Sequence, residues 1–492
     1  MSWAAVQFSL PSSDLFQFPP SNNPQTLPPP TAGSTLFAPP ISIPPSIYNG
    51  ALDVRVPVTI ALVYAVTVTA LNKYNRSRGN TPWAISKTKP FFYFVVAHNI
   101  FLAVYSAWTF VGMFRALQRT LPRWTGPETL TPLVDSLCKM HGTHELGSAI
   151  AYNATTTRWV STSQGVLLSE AGTPFATDVG RLWNEGLAFY GWLFYLSKFY
   201  EVLDTAIILA KGKRSSTLQK YHHAGAMMCM WSGIRFMSPP IWMFVFINSA
   251  IHALMYTYYT LAAFSVPVPQ GLKRSLTTMQ IIQFLVGSAY ASIHSFISYK
   301  VPVQVPVFES TAKTAASVAT SAASSLGAAA APGGLGKSIM KFLYRAIGEE
   351  GLAENVNGPA PTTQAVSTPS SGAIQYYTEY QTVPCLDTSG QTFAIWLNVF
   401  YLTPLTFLFA RFFVKSYLRR SDPKGSGSKK GAAKDAGKGV DRELNRNTKN
   451  IVNEISNGKA HGHTNGHANG KANGTSNGTP NGKAKGNANG KH

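Results

Sequence analysis

Residues 191–210 read GWLFYLSKFYEVLDTAIILA, and this stretch decides the fold. Lys198, Glu201 and Asp204 sit in a run otherwise rich in Trp, Leu, Phe, Tyr, Ile and Ala. On a helix, Lys198, Glu201, Asp204 and Thr205 stand at i, i+3, i+6 and i+7, which makes one stripe. Ionisable groups in so apolar a setting are costly unless they face one another inside a bundle. The stretch therefore predicts a membrane helix whose polar stripe looks inward. Working outward, a hydrocarbon core about 30 Å thick needs about 20 residues of helix. Candidate spans are 56–72, 91–114, 186–210, 221–238, 240–263, 278–297 and 393–414. The expected fold class is an all-α membrane protein, a seven-transmembrane helix bundle over residues 51–417 that encloses a polar chamber.

Composition agrees. Only 13% of the 492 residues are charged, against about 25% in soluble domains. The formal charge of +21 would suggest a nucleic-acid partner in a soluble protein. From Ser416 to His492, however, 15 Lys and Arg face 5 Asp and Glu, so the tail supplies +10 alone. Most other basic residues lie between apolar spans, and nucleic acid is not expected as a partner. Residues 1–50 hold 11 of the 32 prolines, and a disordered or extended tail is expected there. Residues 418–492 repeat Asn-Gly with Lys, Ala and His, and read as a disordered basic tail. His461, His463 and His467 within it read as low-complexity sequence rather than a metal site. No basic stretch precedes a short apolar core at the N-terminus, so no cleaved signal peptide is expected.

Loop charge sets topology, because cytoplasmic loops are enriched in Lys and Arg. Lys73, Arg76, Arg78, Lys87 and Lys89 separate the first two spans. Lys211, Lys213, Arg214 and Lys220 separate the third and fourth, Lys273 and Arg274 the fifth and sixth, and Lys415, Arg419 and Arg420 follow the seventh. The alternate loops carry Glu128, Asp135, Glu145 and Glu170. The alternation places the N-terminus in the lumen and the C-terminus in the cytosol. Two insertions, about 115–185 and 300–390, fall to the lumen. The second includes an Ala/Ser/Gly run around 314–336, and the first contains the sequon Asn153-Ala154-Thr155, a glycosylation candidate. Cys138 and Cys385 lie one in each insertion, on the oxidising side where disulfides persist. A bridge between them is expected, with two separate thiols as the alternative. No CxxC pair occurs, and no metal site is expected.

Three further clusters join the first stripe. Gln219-Lys220-Tyr221-His222-His223 opens the fourth span. Asn248, His252, Tyr256 and Tyr259 share a face of the fifth, with Met255 and Tyr258 beside them, and Thr277, Gln280 and Gln283 repeat in the sixth. Each alone could be a polar packing device; a lone imidazole such as His98 or His294 reads as hydrogen-bonded glue. Four clusters together, with paired histidines at a helix end, point to a reactive chamber.

These residues resemble the ELO family of fatty acid elongases. Lys198 to Thr205 matches KxxExxDT, and Gln219-Lys-Tyr-His222-His223 looks like the HxxHH box with Gln in its first place. Asn248 to Tyr259 matches NxxxHxxMYxYY, and Thr277 to Phe284 matches TxxQxxQF. The resemblance covers about 55–300 and 390–417. The Gln219 departure is similar to members acting on polyunsaturated chains. The resemblance implies decarboxylative condensation of a long-chain acyl-CoA with malonyl-CoA at a multi-pass endoplasmic reticulum membrane. No cofactor is implied; the lipid bilayer and other elongation-cycle membrane enzymes are the implied partners. It implies that His222 or His252 carries the acyl group as an acyl-imidazole while the other assists proton transfer. His223, Asp204 and Glu201 would orient the rings. Gln219, Gln280, Asn248 and Tyr256 would donate to oxyanions, with Thr205, Met255, Tyr259 and Gln283 also lining the substrate. Lys198, or Lys211 and Lys213, would meet the CoA phosphates.

Rivals are weaker. Cys229 lies seven residues after His222 and could carry an acyl group as a thiolate, but its apolar setting favours an inert thiol. A di-iron desaturase or hydroxylase would need around eight imidazoles near the spans, where this chain has His98, His222, His223, His252 and His294. A transporter or receptor would need none of the clustered motifs.

Overall fold

Apolar runs of the expected length fold as helices, and the charges between them end up at helix ends. The computed structural model describes residues 5–161, 163, 166–306 and 376–418. The Ala/Ser/Gly run, most of the second insertion, and the tail with His461, His463 and His467 lie outside the described residues. In chain order the helices are α1 (Pro45–Ala51), α2 (Arg55–Ser77), α3 (Lys89–Thr120), α4 (Leu130–Cys138), α5 (Trp192–Tyr200), α6 (Val202–Ala210), α7 (Thr217–Arg235), α8 (Ile241–Ala263), α9 (Gln270–Ile293) and α10 (Ser389–Phe413). A π-helical segment, Trp183–Gly191, leads into α5. Side-chain caps start several of them: the hydroxyls of Thr88, Ser216 and Thr388 accept from the amides of Phe91, Gln219 and Gln391.

Among the described residues, five helices are long and apolar enough to cross a membrane: α2, α3, α8, α9 and α10. The expected third and fourth spans are not among them, so the seven-span count is not met on length and composition. The third breaks at Glu201, which ends α5 and starts α6. The fourth, α7, carries Gln219, Lys220, His222, His223 and Arg235. Both are sheltered by neighbours. The π segment packs on α3, α3 on α8, α8 on α9, α9 on α10, α10 on α7, and α7 on α5, which closes a ring. Helix α2 packs outside that ring on α6 and α7. A helix shielded by others can carry polar residues that lipid would forbid. Outward-facing positions are apolar instead: Leu62, Val66, Phe101, Val104, Phe400 and Phe407 are exposed, as suits a surface toward lipid.

The all-α expectation needs correction. Two small antiparallel sheets cap one end of the ring. One orders β1 (Val6–Phe8), β5 (Ile297–Pro306) and β6 (Tyr376–Pro384); the other orders β2 (His141–Gly142), β3 (Ala149–Asn153) and β4 (Arg158–Ser161). The disulfide Cys138–Cys385 ties the end of α4 to the residue after β6.

Residues 5–50, expected as a disordered or extended tail, lie mostly as extended chain and short turns against this end, with β1 near the start and α1 at the finish. Proline-rich backbone has few amides with which to pair its own carbonyls, and here the bundle supplies donors. Trp183 Nε1 donates to the Leu27 carbonyl (2.9 Å), Arg235 Nη1 to Pro24 (2.9 Å), Thr26 Oγ1 back to Arg235 (2.7 Å), and Trp192 Nε1 to Tyr48 (3.2 Å). Trp231 Nε1 donates to Leu52 (2.7 Å) and Tyr195 to Ala51 (2.8 Å).

Candidate functional site

The break at Glu201 positions the first polar pair. Lys198 and Glu201 are both buried, and Lys198 Nζ donates to Glu201 Oε1 at 2.7 Å. The same ammonium lies 3.9 Å from the Phe194 ring centroid, where the ring face offsets part of its desolvation. From α8, Asn248 Oδ1 stands 3.4 Å from Lys198 Nζ, and His252 Nδ1 stands 3.5 Å from Glu201 Oε1. From α9, Gln283 Oε1 lies 3.5 Å from Asn248 Nδ2, and Gln280 Nε2 lies 3.7 Å from Met255 Sδ. From α7, His222 and His223 have ring centroids 5.6 Å apart. Helix α7 itself packs against α8. Imidazoles from α7 and α8 therefore share one buried neighbourhood with a carboxylate, an ammonium and carboxamides.

The stripe of the opening motif is divided rather than shared. Asp204 turns toward α3 and α8: its Oδ1 lies 2.8 Å from His98 Nε2, and its Oδ2 accepts from the Tyr256 hydroxyl at 2.5 Å. Thr205 faces α2, its hydroxyl 2.9 Å from that of Tyr64, so it ties α6 to α2 instead of lining a chamber with Lys198. Gln219 Oε1 is engaged by Ser215 Oγ at 3.1 Å at the start of α7. Tyr259 packs edge-on to Tyr256, centroids 5.8 Å apart. Lys211 and Lys213 follow α6, where Gly212 adopts φ +72°. That left-handed turn brings the chain against the Asn80–Pro82 backbone, and a Cβ there would stand 2.5 Å from the Asn80 carbonyl oxygen.

Three contributors were not among the expected site residues. His98, read as hydrogen-bonded glue, does act so and bonds Asp204 at the edge of the cluster. Tyr64 lies edge-on to His223, centroids 6.0 Å apart. Tyr401 of α10 places its hydroxyl 3.0 Å from His222 Nδ1. No motif spacing marks these residues, because each reaches the cluster from a helix remote in sequence. His294 does act as glue, its Nδ1 2.8 Å from the Tyr290 carbonyl. Cys229 is buried, its sulfur 3.9 Å from the Leu397 carbonyl. Among the described residues, no group of three or more His, Cys, Asp or Glu side chains is placed to hold a metal ion.

One cavity lies away from these imidazoles. It measures about 400 Å³ and is lined by Phe37, Arg115, Arg119, Glu185 and Tyr190, among others. The far end is otherwise held by buried ion pairs. Arg181, 1% exposed, donates to Asp135 Oδ2 (2.6 Å) and to the carbonyls of Asp135 (3.0 Å), Thr143 (2.7 Å) and Glu145 (3.2 Å). Asp135 Oδ1 accepts from Tyr299 at 2.8 Å. Lys139 pairs with Asp387, and Arg119 with Glu185. Burial, the largest influence, and the nearby Arg181 charge hold the His141 pKa down at about 3. Asn153 is exposed, with its Oδ1 accepting from the amides of Thr155 (2.9 Å) and Thr156 (3.0 Å).

Comparison with known proteins follows the same residues. A family model described as "ELO: GNS1/SUR4 family" matches residues 51–425. A human protein named "Very long chain fatty acid elongase 3" is 38% identical over 114 residues, 23% of this chain and 42% of that one. "Fatty acid elongase 2" of Trypanosoma brucei brucei is 31% identical over 123 residues, 25% of this chain and 45% of that one. Human "Very long chain fatty acid elongase 1" is 36% identical over 121 residues, 23% and 43% respectively. The chain thus spans less than half the length of these curated relatives.

Proposed function

The chain belongs to the ELO (GNS1/SUR4) family, and from that premise we propose that it is a membrane-embedded fatty acid elongase. It condenses a long-chain acyl-CoA with malonyl-CoA and releases 3-ketoacyl-CoA, CoA and CO2. The observation that carries this reading is the gathering of imidazoles from α7 and α8 beside the buried Lys198–Glu201 pair.

His222, half-buried at the α7 end of the cluster, attacks the thioester carbonyl, and CoA leaves as a thiolate that is protonated to the thiol. His252 assists proton transfer, with Glu201 holding its Nδ1 side. Decarboxylation of malonyl-CoA leaves an enolate, whose oxygen meets donors from Asn248 and Gln280. The enolate carbon then displaces the imidazole and forms the new C–C bond. Lys211 and Lys213, at the mouth beyond α6, receive the CoA phosphates. Gln219 in the first place of the box supports polyunsaturated acyl chains as substrates.

The bundle crosses the endoplasmic reticulum membrane seven times. The segment 183–210 and α7 form the third and fourth crossings, screened by the ring. The sheets lie in the lumen, and the α7 start and the C-terminus in the cytosol. An endoglycosidase-sensitive mass shift on Asn153, lost in Asn153→Gln, is the outcome that fits this orientation; an unmodified sequon with Lys213 glycosylation-site insertions modified instead would reverse it.

Purified full-length protein supplied with labelled malonyl-CoA and a panel of saturated and polyunsaturated acyl-CoAs tests the activity. Products two carbons longer, formed with CO2 release, are expected. No lengthening with any acyl-CoA would overturn the reading.

A further inference from the structure

The Tyr401 hydroxyl makes two contacts with the same residue: its oxygen is 3.0 Å from His222 Nδ1 and 3.0 Å from the His222 carbonyl oxygen. A carbonyl oxygen can only accept, and a phenol has one proton to give. If that proton went to Nδ1, two oxygen lone-pair shells would face each other at 3.0 Å with nothing between them. When it goes to the carbonyl, the phenol oxygen is left as an acceptor, and the ring nitrogen completes the second bond by bringing its own proton.

We propose that Tyr401 fixes His222 as the Nδ1–H tautomer and so presents Nε2, with its bare in-plane lone pair, as the atom that takes the acyl group. This rests on the elongase reading above and deepens it to one nitrogen. Tyr401 is a positioning residue in this scheme, because it touches the imidazole and not the substrate.

The ring of Tyr401 is held in place from several sides. It stacks on Tyr221, centroids 5.5 Å apart at 27°, and the Tyr221 hydroxyl donates to the Tyr401 carbonyl at 3.2 Å. Gly225, one turn after His222, leaves room for it: a Cβ there would stand 2.1 Å from Tyr401 Cε2. Pro404 lies three residues further along α10 and withholds an amide from that turn. Tyr401 is 8% exposed.

The chemistry balances without a proton passing through His222. The Nε2 lone pair forms the C–N bond as the C–S bond breaks, and the leaving thiolate takes its proton from solvent. The acyl-imidazolium keeps Nδ1–H, and the phenol oxygen that accepts from it stabilises the new positive charge. When the enolate carbon bonds to the acyl carbon, the C–N electron pair returns to Nε2. The ring ends the cycle as it began.

Tyr401→Phe removes the hydroxyl and keeps the ring, its stacking and its fit over Gly225. The full-length protein labelled with ¹⁵N-histidine and held in lipid nanodiscs gives the direct reading, with His222 assigned by its loss in His222→Gln. The expected spectrum shows Nδ1 protonated and Nε2 bare in the unsubstituted protein, and a mixture of tautomers in Tyr401→Phe. Acylation at His222, followed by mass spectrometry after mixing with acyl-CoA alone, should slow on the order of 10²-fold in the variant. Its kcat should fall in step, with the KM for both substrates held. A His222 proton on Nε2, or a variant that matches the unsubstituted protein in spectrum and rate, overturns the proposal. An acyl adduct on His252, or none anywhere, instead removes the acyl-imidazole assignment at His222, and Nε2 loses its role with it.

Discussion

The two ends of the ring handle buried charge in opposite ways. At the sheet end, Arg181 makes four bonds of 2.6–3.2 Å and Asp135 is bonded through both oxygens. At the imidazole cluster, the Lys198–Glu201 bond is short at 2.7 Å, but Asn248 and His252 of α8 approach that pair at 3.4 and 3.5 Å, and Gln283 of α9 approaches Asn248 at 3.5 Å. A saturated network rigidifies and leaves nothing to offer. A loosely met one keeps donors and lone pairs available to a ligand. The difference teaches that burial and charge alone do not mark a reactive site; how fully the buried charges are hydrogen-bonded is what separates the two ends.

The sharpest way to break that contrast is to delete the imidazoles. His222→Ala and His252→Ala should each lower condensation by about 10²- to 10⁴-fold, with membrane insertion and thermal unfolding unchanged. Retained turnover in both would refute their roles.

At the other end the effect should fall on stability alone. Arg181→Met leaves the Asp135 carboxylate, among the described residues, with the Tyr299 hydroxyl alone, at a cost of about 3–5 kcal/mol. Thermal unfolding in detergent should show the loss, part of which Arg181→Met with Asp135→Asn restores, while turnover per folded molecule stays the same. A variant that melts normally but turns over slowly would couple the two ends.

His141 adds a pH dependence to the sheet end. Its ring packs edge-to-face with those of Trp159 and Trp183, and both its nitrogens are buried without a partner among the described residues. Its folded pKa of about 3 lies below the unfolded value of about 6.5. The unfolded chain therefore binds a proton that the folded protein refuses, and stability falls as pH drops from about 6.5 toward 3. Between pH 6.5 and 5 this contributes about 2 kcal/mol. His141→Phe should flatten the fall in melting temperature over that range; parallel slopes would show that other groups govern it.

The smallest change is expected at Cys229. Cys229→Ser should keep turnover within about twofold and shift stability by about 1 kcal/mol, since the hydroxyl can donate toward the Leu397 carbonyl. A folded but inactive serine variant would move the acyl group to the thiol.

The sequence by itself determined what depends on local period and composition. Apolar runs near helix length, basic loops alternating with mixed ones, and the placing of histidines beside a polar stripe are all properties of neighbours in the chain. The same local reading misled where partners are distant. Residues 5–50 were expected as a disordered or extended tail, and what holds them is remote: donors come from Trp183, Trp192 and Arg235, about 140–210 positions away along the chain. β5 and β6 were missed because they pair across the length of the second insertion, whereas β2, β3 and β4 are short strands that pair locally inside the first. Only the tertiary structure decided that Glu201 sits at a helix break, that Asp204 and Thr205 leave the stripe for α3, α8 and α2, and that Tyr401 meets a histidine 179 residues before it. Helical period dictates which residues share a face; which faces meet depends on how all the helices pack at once, and no short stretch contains that information.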